Sequence, residues 1–147
     1  MEFSIFDERI VNLLLENSRL SYRQLAQKLS VSVATVAAHT KKLEKNGVIK
    51  KYTALVDYEK LGYDVSVLIH LRISKGRLSE IGKKIAVHSN VVAVYDHTGH
   101  FDAAILAKFK TRKAMDVFLK KLQSYDFVER TETMLILNTF KEGVISI

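Results

Sequence analysis

Between Arg19 and Tyr52 the chain carries Arg19, Arg23, Lys28, Lys41, Lys42, Lys45, Lys50 and Lys51 against one acid, Glu44. That window alone equals the net charge of the whole chain, +7 from 23 basic and 16 acidic residues. Cations at this density do one kind of chemistry well: they displace the counterions condensed on a polyphosphate, whatever its base sequence. Inside the window Ala34, Thr35, Ala38, His39 and Lys42 read as the outward face of a helix, and Lys41, Lys42, Lys45, Lys50 and Lys51 supply contacts to phosphates. Double-stranded DNA is the partner this pattern implies. The expected DNA-facing set is completed by Ser21, Tyr22 and Ser32 at the starts of two helices. No arginine stands on the outward face to read guanine with a bidentate fork, and alanine and the threonine methyl can only touch a thymine methyl. The expected specificity therefore leans toward A·T-rich sites and DNA shape.

Other chemistry is less well supplied. Asp96, His97, His100 and Asp102 have the donor types of a transition-metal site, but neighbours on a strand point to opposite faces, so a polar turn with exposed histidines is the expectation and no metal is expected. His39, His70 and His88 form no triad with a serine or an acid. Neither G-x-S-x-G, G-x-x-x-x-G-K nor G-x-G-x-x-G occurs, and no catalytic residue is expected.

These side chains need elements to position them. Ser21 can cap a helix, with Gln24 completing a capping box and Tyr22, Leu25, Ala26 and Leu29 at i, i+3, i+4 and i+7. Ser30-Val31-Ser32 breaks the period, and Ser32 caps a second helix whose inward face is Val33, Val36, Ala37, Thr40 and Leu43, up to Gly47 as a C′ residue. Two helices joined by so short a turn form a helix-turn-helix, which places its second helix for the major groove. A further helix precedes them, with Phe6, Ile10, Leu13 and Leu14 inward, Asp7 and Glu8 at the positive end of its dipole, and Asn17-Ser18 as its stop. Val48 to Asp57 reads as an extended segment.

The second half changes period. Val65, Val67, Ile69, Leu71 and Ile73 alternate with Ser66, Leu68, His70, Arg72 and Ser74, the pattern of a strand with one buried face and Leu68 as its outward exception. A helix with Leu78, Ile81, Gly82 and Ile85 inward follows, then strands Val91 to Asp96 and Asp102 to Phe109 around a hairpin, a helix capped by Thr111, and a strand Val128 to Leu137. The order βαββαβ predicts a ferredoxin-like antiparallel sheet with both helices on one face. The fold class is thus α+β: residues 1–50 a helix-turn-helix domain, 51–64 a linker, and 65–147 a ligand-binding and oligomerisation domain. The uncovered sheet face predicts at least a homodimer.

At 147 residues and 48% hydrophobic content the chain can bury real cores, and no apolar run approaches a membrane span. Its start lacks a basic n-region and an apolar h-region, and it has no cysteine, so a cytoplasmic protein without a membrane partner is expected.

The chain resembles the Lrp/AsnC, or feast/famine, family of transcription regulators. The resemblance rests on Phe6-Asp7, Asn17-Ser18-Arg19-Leu20-Ser21, Gln24-Leu25-Ala26, Leu29-Ser30-Val31-Ser32, Leu43-Glu44 and Gly47-Val48-Ile49-Lys50. In the second half it rests on Leu61-Gly62, Val91-Val92 and, above all, the hairpin Thr98-Gly99-His100-Phe101-Asp102. It implies dimers assembling to tetramers or octamers, no cofactor, and an amino-acid effector. Carried over residue by residue, it points to Gly99, His100 and Asp102, with Thr131, Glu132 and Thr133 behind them, as effector-binding residues. Relatives often carry two consecutive arginines where this chain has Ala38 and His39. Two other functions fit the same plan: a tetrapyrrole enzyme similar to sirohaem decarboxylases, and a small-molecule-binding assembly module without DNA.

Overall fold

The computed structural model describes residues 3–147; residues 1 and 2 of the expected first domain lie outside the described residues. The chain divides into two compact units, one running up to Val56 and joined by Lys141–Ile147, the other spanning Asp57–Phe140. Residues 141–147, expected with the second domain, instead pack with the first. The side-chain amide of Asn12 bonds both backbone groups of Ile147, accepting from its N–H at 2.9 Å and donating to its carbonyl.

The first unit is three helices: α1 Ile5–Glu16, α2 Tyr22–Leu29 and α3 Val33–Lys45. Each begins at a serine whose hydroxyl accepts a backbone N–H of the first turn: Ser4, Ser21 and Ser32. Ser21 and Gln24 close the expected capping box, worth about 1 kcal/mol at such a cap. Ile10, Leu14, Leu25, Ala26, Leu29, Val36 and Leu43 meet in one core. Full burial of a valine, leucine or isoleucine side chain contributes about 1.5–3 kcal/mol against leaving it in water. Val33, expected inward, is 46% exposed, because it stands in the first turn of α3, ahead of the turn that meets the core.

Both interior helix ends close in the same way. After α3, Gly47 at φ 70° lets Val48 N–H reach the Leu43 carbonyl and Gly47 N–H reach Glu44, satisfying carbonyls that the helix leaves unpaired. After α2 the same pair of bonds, Val31 to Ala26 and Ser30 to Gln27, forms around Ser30 at φ 56°. A serine there holds a left-handed backbone that glycine adopts without steric cost.

The second unit runs β1 Val65–Ile73, α4 Ser79–Lys84, β2 Val91–Asp96, β3 Ala103–Phe109, α5 Arg112–Ser124 and β4 Val128–Leu135. The sheet order is β2-β3-β1-β4, antiparallel throughout, as the ferredoxin-like reading predicts. Val67, Ile69, Leu71 and Ile73 bury their side chains with Ile81 and Ile85 of the α4 turn and Phe118 and Leu122 of α5. Leu68, His70 and Arg72 stay half-buried on the opposite face. Leu78 and Gly82, expected inward, are exposed: Leu78 sits at the helix boundary without a side-chain cap, and six residues present one narrow stripe, filled by Ile81. Residues 50–57 take no part in a sheet, and β4 ends two residues before Leu137.

Ser30→Gly should stabilise the first unit by about 1 kcal/mol, the relief of a left-handed serine. Urea unfolding of the two chains side by side measures it; an unchanged or lower midpoint would show that the strain at Ser30 is no larger than the extra unfolded-state entropy of a glycine.

Candidate nucleic-acid interface and effector site

Val36, Thr40 and Leu43 turn α3 into the core, which sends Ala34, Ala38, Lys41, Lys42 and Lys45 to the surface. Lys50 and Lys51 are exposed beyond its end. The one acid of the basic window, Glu44, accepts the Tyr52 hydroxyl at 2.8 Å, and desolvation followed by that carboxylate pushes the phenol well above its ordinary range. Ser21 and Ser32 spend their hydroxyls on caps, and Thr35 shares a 2.8 Å hydroxyl contact with Ser32, so its methyl is the part left for a base. Tyr22 is half-buried against the core.

His39 departs from the expected outward face. Its Nδ1 lies 2.7 Å from Asp7 Oδ1 in α1, and its ring meets Phe6 edge-on at 4.8 Å. The physical reason is Asp7, a carboxylate only 1% exposed that needs donors on every side. Ser4 supplies its N–H at 3.1 Å and its hydroxyl at 2.8 Å to Oδ2, His39 supplies Nδ1–H to Oδ1, and Lys42 Nζ stands 3.9 Å away. The His39 bond, opposed by burial and helped by Ser4, brings the Asp7 pKa down from 3.8 to about 2. Sequence reasoning placed Asp7 at a helix dipole and missed this clamp, since nothing local announces a partner 32 residues away.

In the second unit the hairpin between β2 and β3 and the turn after β1 enclose a cleft of about 480 Å³. Asp96, His97, Thr98 and Asp102 line one side, and Ile73, Ser74, Lys75, Gly76 and Leu78 the other. Asp102 Oδ2 accepts the Ile73 N–H at 2.7 Å, and its own N–H bonds the Leu71 carbonyl at 2.8 Å, so this residue fastens the hairpin to the end of β1. Gly99 holds φ 120°, a conformation that L side chains rarely adopt, and is exposed. His100 is exposed against Phe101; His97 bonds the Thr98 carbonyl and rests on His70 at 5.4 Å. The expected trio on β4 does not converge. Thr131 and Thr133 pair across from buried Leu71 and Ile69 on the helix-covered face, where Gln123 bonds Thr131, while Glu132 pairs across from His70 on the open face. None of the three lines the cleft. Lys75, absent from the expected set, does.

Residues 3–50 match the winged helix-turn-helix DNA-binding family, and residues 66–145 match the Lrp/AsnC ligand binding domain. An uncharacterized HTH-type transcriptional regulator of Pyrococcus furiosus is 43% identical over 142 residues, 97% of this chain and 96% of that protein. The structure of AsnC from E. coli superposes with a TM-score of 0.88 at 26% identity, covering all of both chains. The same TM-score, at 23% identity over 99% of this chain and 96% of the other, is reached by a transcriptional regulator of Neisseria meningitidis solved as a complex with L-Met. Among the described residues no helix is long and apolar enough to cross a membrane.

A carboxylate whose folded pKa lies below its unfolded value adds stability that is complete above the unfolded pKa and vanishes as pH falls through the folded one. For Asp7 that window runs from 3.8 down to about 2, and the contribution is about 2 kcal/mol. Asp7→Asn should therefore lower stability at neutral pH by about that amount and flatten its acid dependence between about pH 4 and pH 2. Urea midpoints measured across that range decide the matter, and an unaltered acid slope would remove Asp7 from this role.

Proposed function

The chain belongs to the Lrp/AsnC family of DNA-binding transcription regulators, and from that footing we propose that it binds operator DNA sequence-specifically through α3 and answers to an amino acid held in its second unit. It is a regulator and not an enzyme. The observation that carries the DNA reading is the outward line of α3, where Ala34, Ala38, Lys41, Lys42 and Lys45 stand exposed above a helix fixed by three buried residues. Small side chains let the helix approach base edges closely, and the lysines reach phosphates on either side. Ser21 and Ser32, with their hydroxyls tied into caps, offer the positive ends of α2 and α3 instead.

The cleft beside the hairpin supports the effector reading. Asp96, Asp102 and Lys75 all line it, which supplies carboxylates for an ammonium group and a cation for a carboxylate. The Neisseria regulator with L-Met shows an amino acid bound to this fold. On the sheet face without helices, Met134, Leu68, Leu106 and Ala93 form one apolar row across the four strands. A second copy of the chain covers that face in a dimer, which can assemble further to tetramers or octamers and which works in the cytoplasm. A ligand that favours one assembly changes the spacing of the recognition helices, and so which half-sites are bound together.

The direct test is fluorescence anisotropy on DNA from upstream of the chain's own gene, titrated with salt beside an unrelated duplex of equal length. Preferential binding that weakens steeply with salt supports the reading, and absence of binding at low salt refutes it. Lys41→Ala and Lys45→Ala should each weaken binding to both duplexes and reduce the salt slope by about one. Lys75→Ala should abolish the heat of L-Met binding in calorimetry while leaving DNA affinity intact; unchanged L-Met binding would move the effector site elsewhere. Leu68→Lys should shift the sedimenting species toward the monomer.

A further inference from the structure

The pair formed by Asp7 and His39 has a chemistry that fold stability alone does not use. Resting on the DNA-binding reading above, we propose that His39 is a phosphate-contacting residue of the nucleic-acid face that engages DNA only as an imidazolium, with Asp7 as the residue that positions it.

Placement comes first. A helix turns about 100° per residue, which puts His39 about 60° from the inward line of Val36, beside Thr35 one turn earlier and Lys42 one turn later. It therefore lies on the flank of α3, between the core and the outward row of Ala34, Ala38, Lys41 and Lys45. A helix seated in the major groove turns its outer line to base edges and its flanks to the phosphate walls. The side chain is 33% exposed, so the ring is reachable from solvent.

The second step is the tautomer. Asp7, with a pKa of about 2, is ionised at every pH where the protein works, and an ionised carboxylate can only accept. Nδ1 of His39, 2.7 Å away, must therefore carry the hydrogen. In the neutral ring this leaves Nε2, on the other side of the imidazole, as a bare lone pair, and Nε2 makes no hydrogen bond among the described residues. Phosphate oxygens also only accept, so the neutral ring cannot bond them. Protonation keeps the Nδ1–H···Asp7 bond and adds an Nε2–H donor directed away from the buried acid.

Charge acts in the same direction. Beside the His39 ring at 2.7 Å, Lys42 at 3.9 Å is the basic side chain within ion-pair distance of Asp7 among the described residues, and Phe6 and Ser4 also pack on the pair. While the imidazole is neutral, Lys42 is the one full cation beside the buried carboxylate. An imidazolium takes over that pairing and leaves Lys42 to phosphate. One proton thus adds one positive charge to the DNA face and frees another.

The test measures anisotropy of the full chain on the upstream duplex at about pH 8 and about pH 5.5, each across a salt series. The wild type should tighten roughly five- to tenfold on acidification, with the salt slope steeper by about two. His39→Gln should lose both responses. His39→Arg, a permanent cation beside Asp7, should bind at the higher pH as tightly as the wild type does at the lower, with no pH dependence. A His39→Gln chain that keeps the wild-type response would overturn the proposal, since the response would then belong to His70, His88, His97 or His100. Should His39→Gln fail to fold, a His39→Arg chain with an undiminished pH response overturns it equally. Wild-type binding that ignores pH overturns this inference alone, whereas no binding by any variant at low salt overturns the DNA reading beneath it.

Discussion

The first unit depends on one buried carboxylate. Asp7 reaches Oδ2 back to the N–H and hydroxyl of Ser4 and offers Oδ1 to His39, so the start of α1 and the flank of α3 are held by a single side chain. A charge 1% exposed is costly unless donors surround it, and the same requirement that makes the group expensive makes its geometry specific. The angle at which α3 presents Ala34, Ala38 and Lys41 follows from that clamp together with the core of Ile10, Leu25, Val36 and Leu43. The stability of the first unit and the presentation of α3 therefore meet at one residue.

The second unit uses the same physics for another end. Asp102 accepts the Ile73 N–H and donates its own N–H to Leu71, which locks the β2–β3 hairpin against the last turn of β1. The cleft beside it is lined by Asp96, Asp102 and Lys75. One acid anchored to backbone thus shapes the cleft, as one acid held by Ser4 and His39 sets the seat of α3. Neither device asks for a metal or a disulfide, and the chain has no cysteine.

Local signals made most of the fold legible in the sequence. Capping boxes span four residues, helix faces repeat every three or four, and a strand buries every second residue, so Ser21 with Gln24, Gly47, and the alternation through Val65–Ile73 are legible directly. The misreadings share a different cause. Helical spacing puts His39 on the outward face, but its orientation is dictated by Asp7, far away in the chain; Asn12 and Ile147 meet across 135 residues, which no window can see. Ser30 adopts a glycine's backbone without being one. Thr131, Glu132 and Thr133 could have been separated from the sequence alone, since consecutive strand residues cannot share a face.

Ala38 is the exposed point of α3 proposed to lie against DNA, and the absence of native cysteine allows one probe to be placed there alone. Ala38→Cys carrying an iron–EDTA group should cleave bound upstream DNA at a few neighbouring nucleotides in each half-site, while the same group on Glu16→Cys at the end of α1 leaves the duplex largely intact. Equal cleavage from both positions, or none from residue 38 under conditions where the protein is bound, would contradict the account.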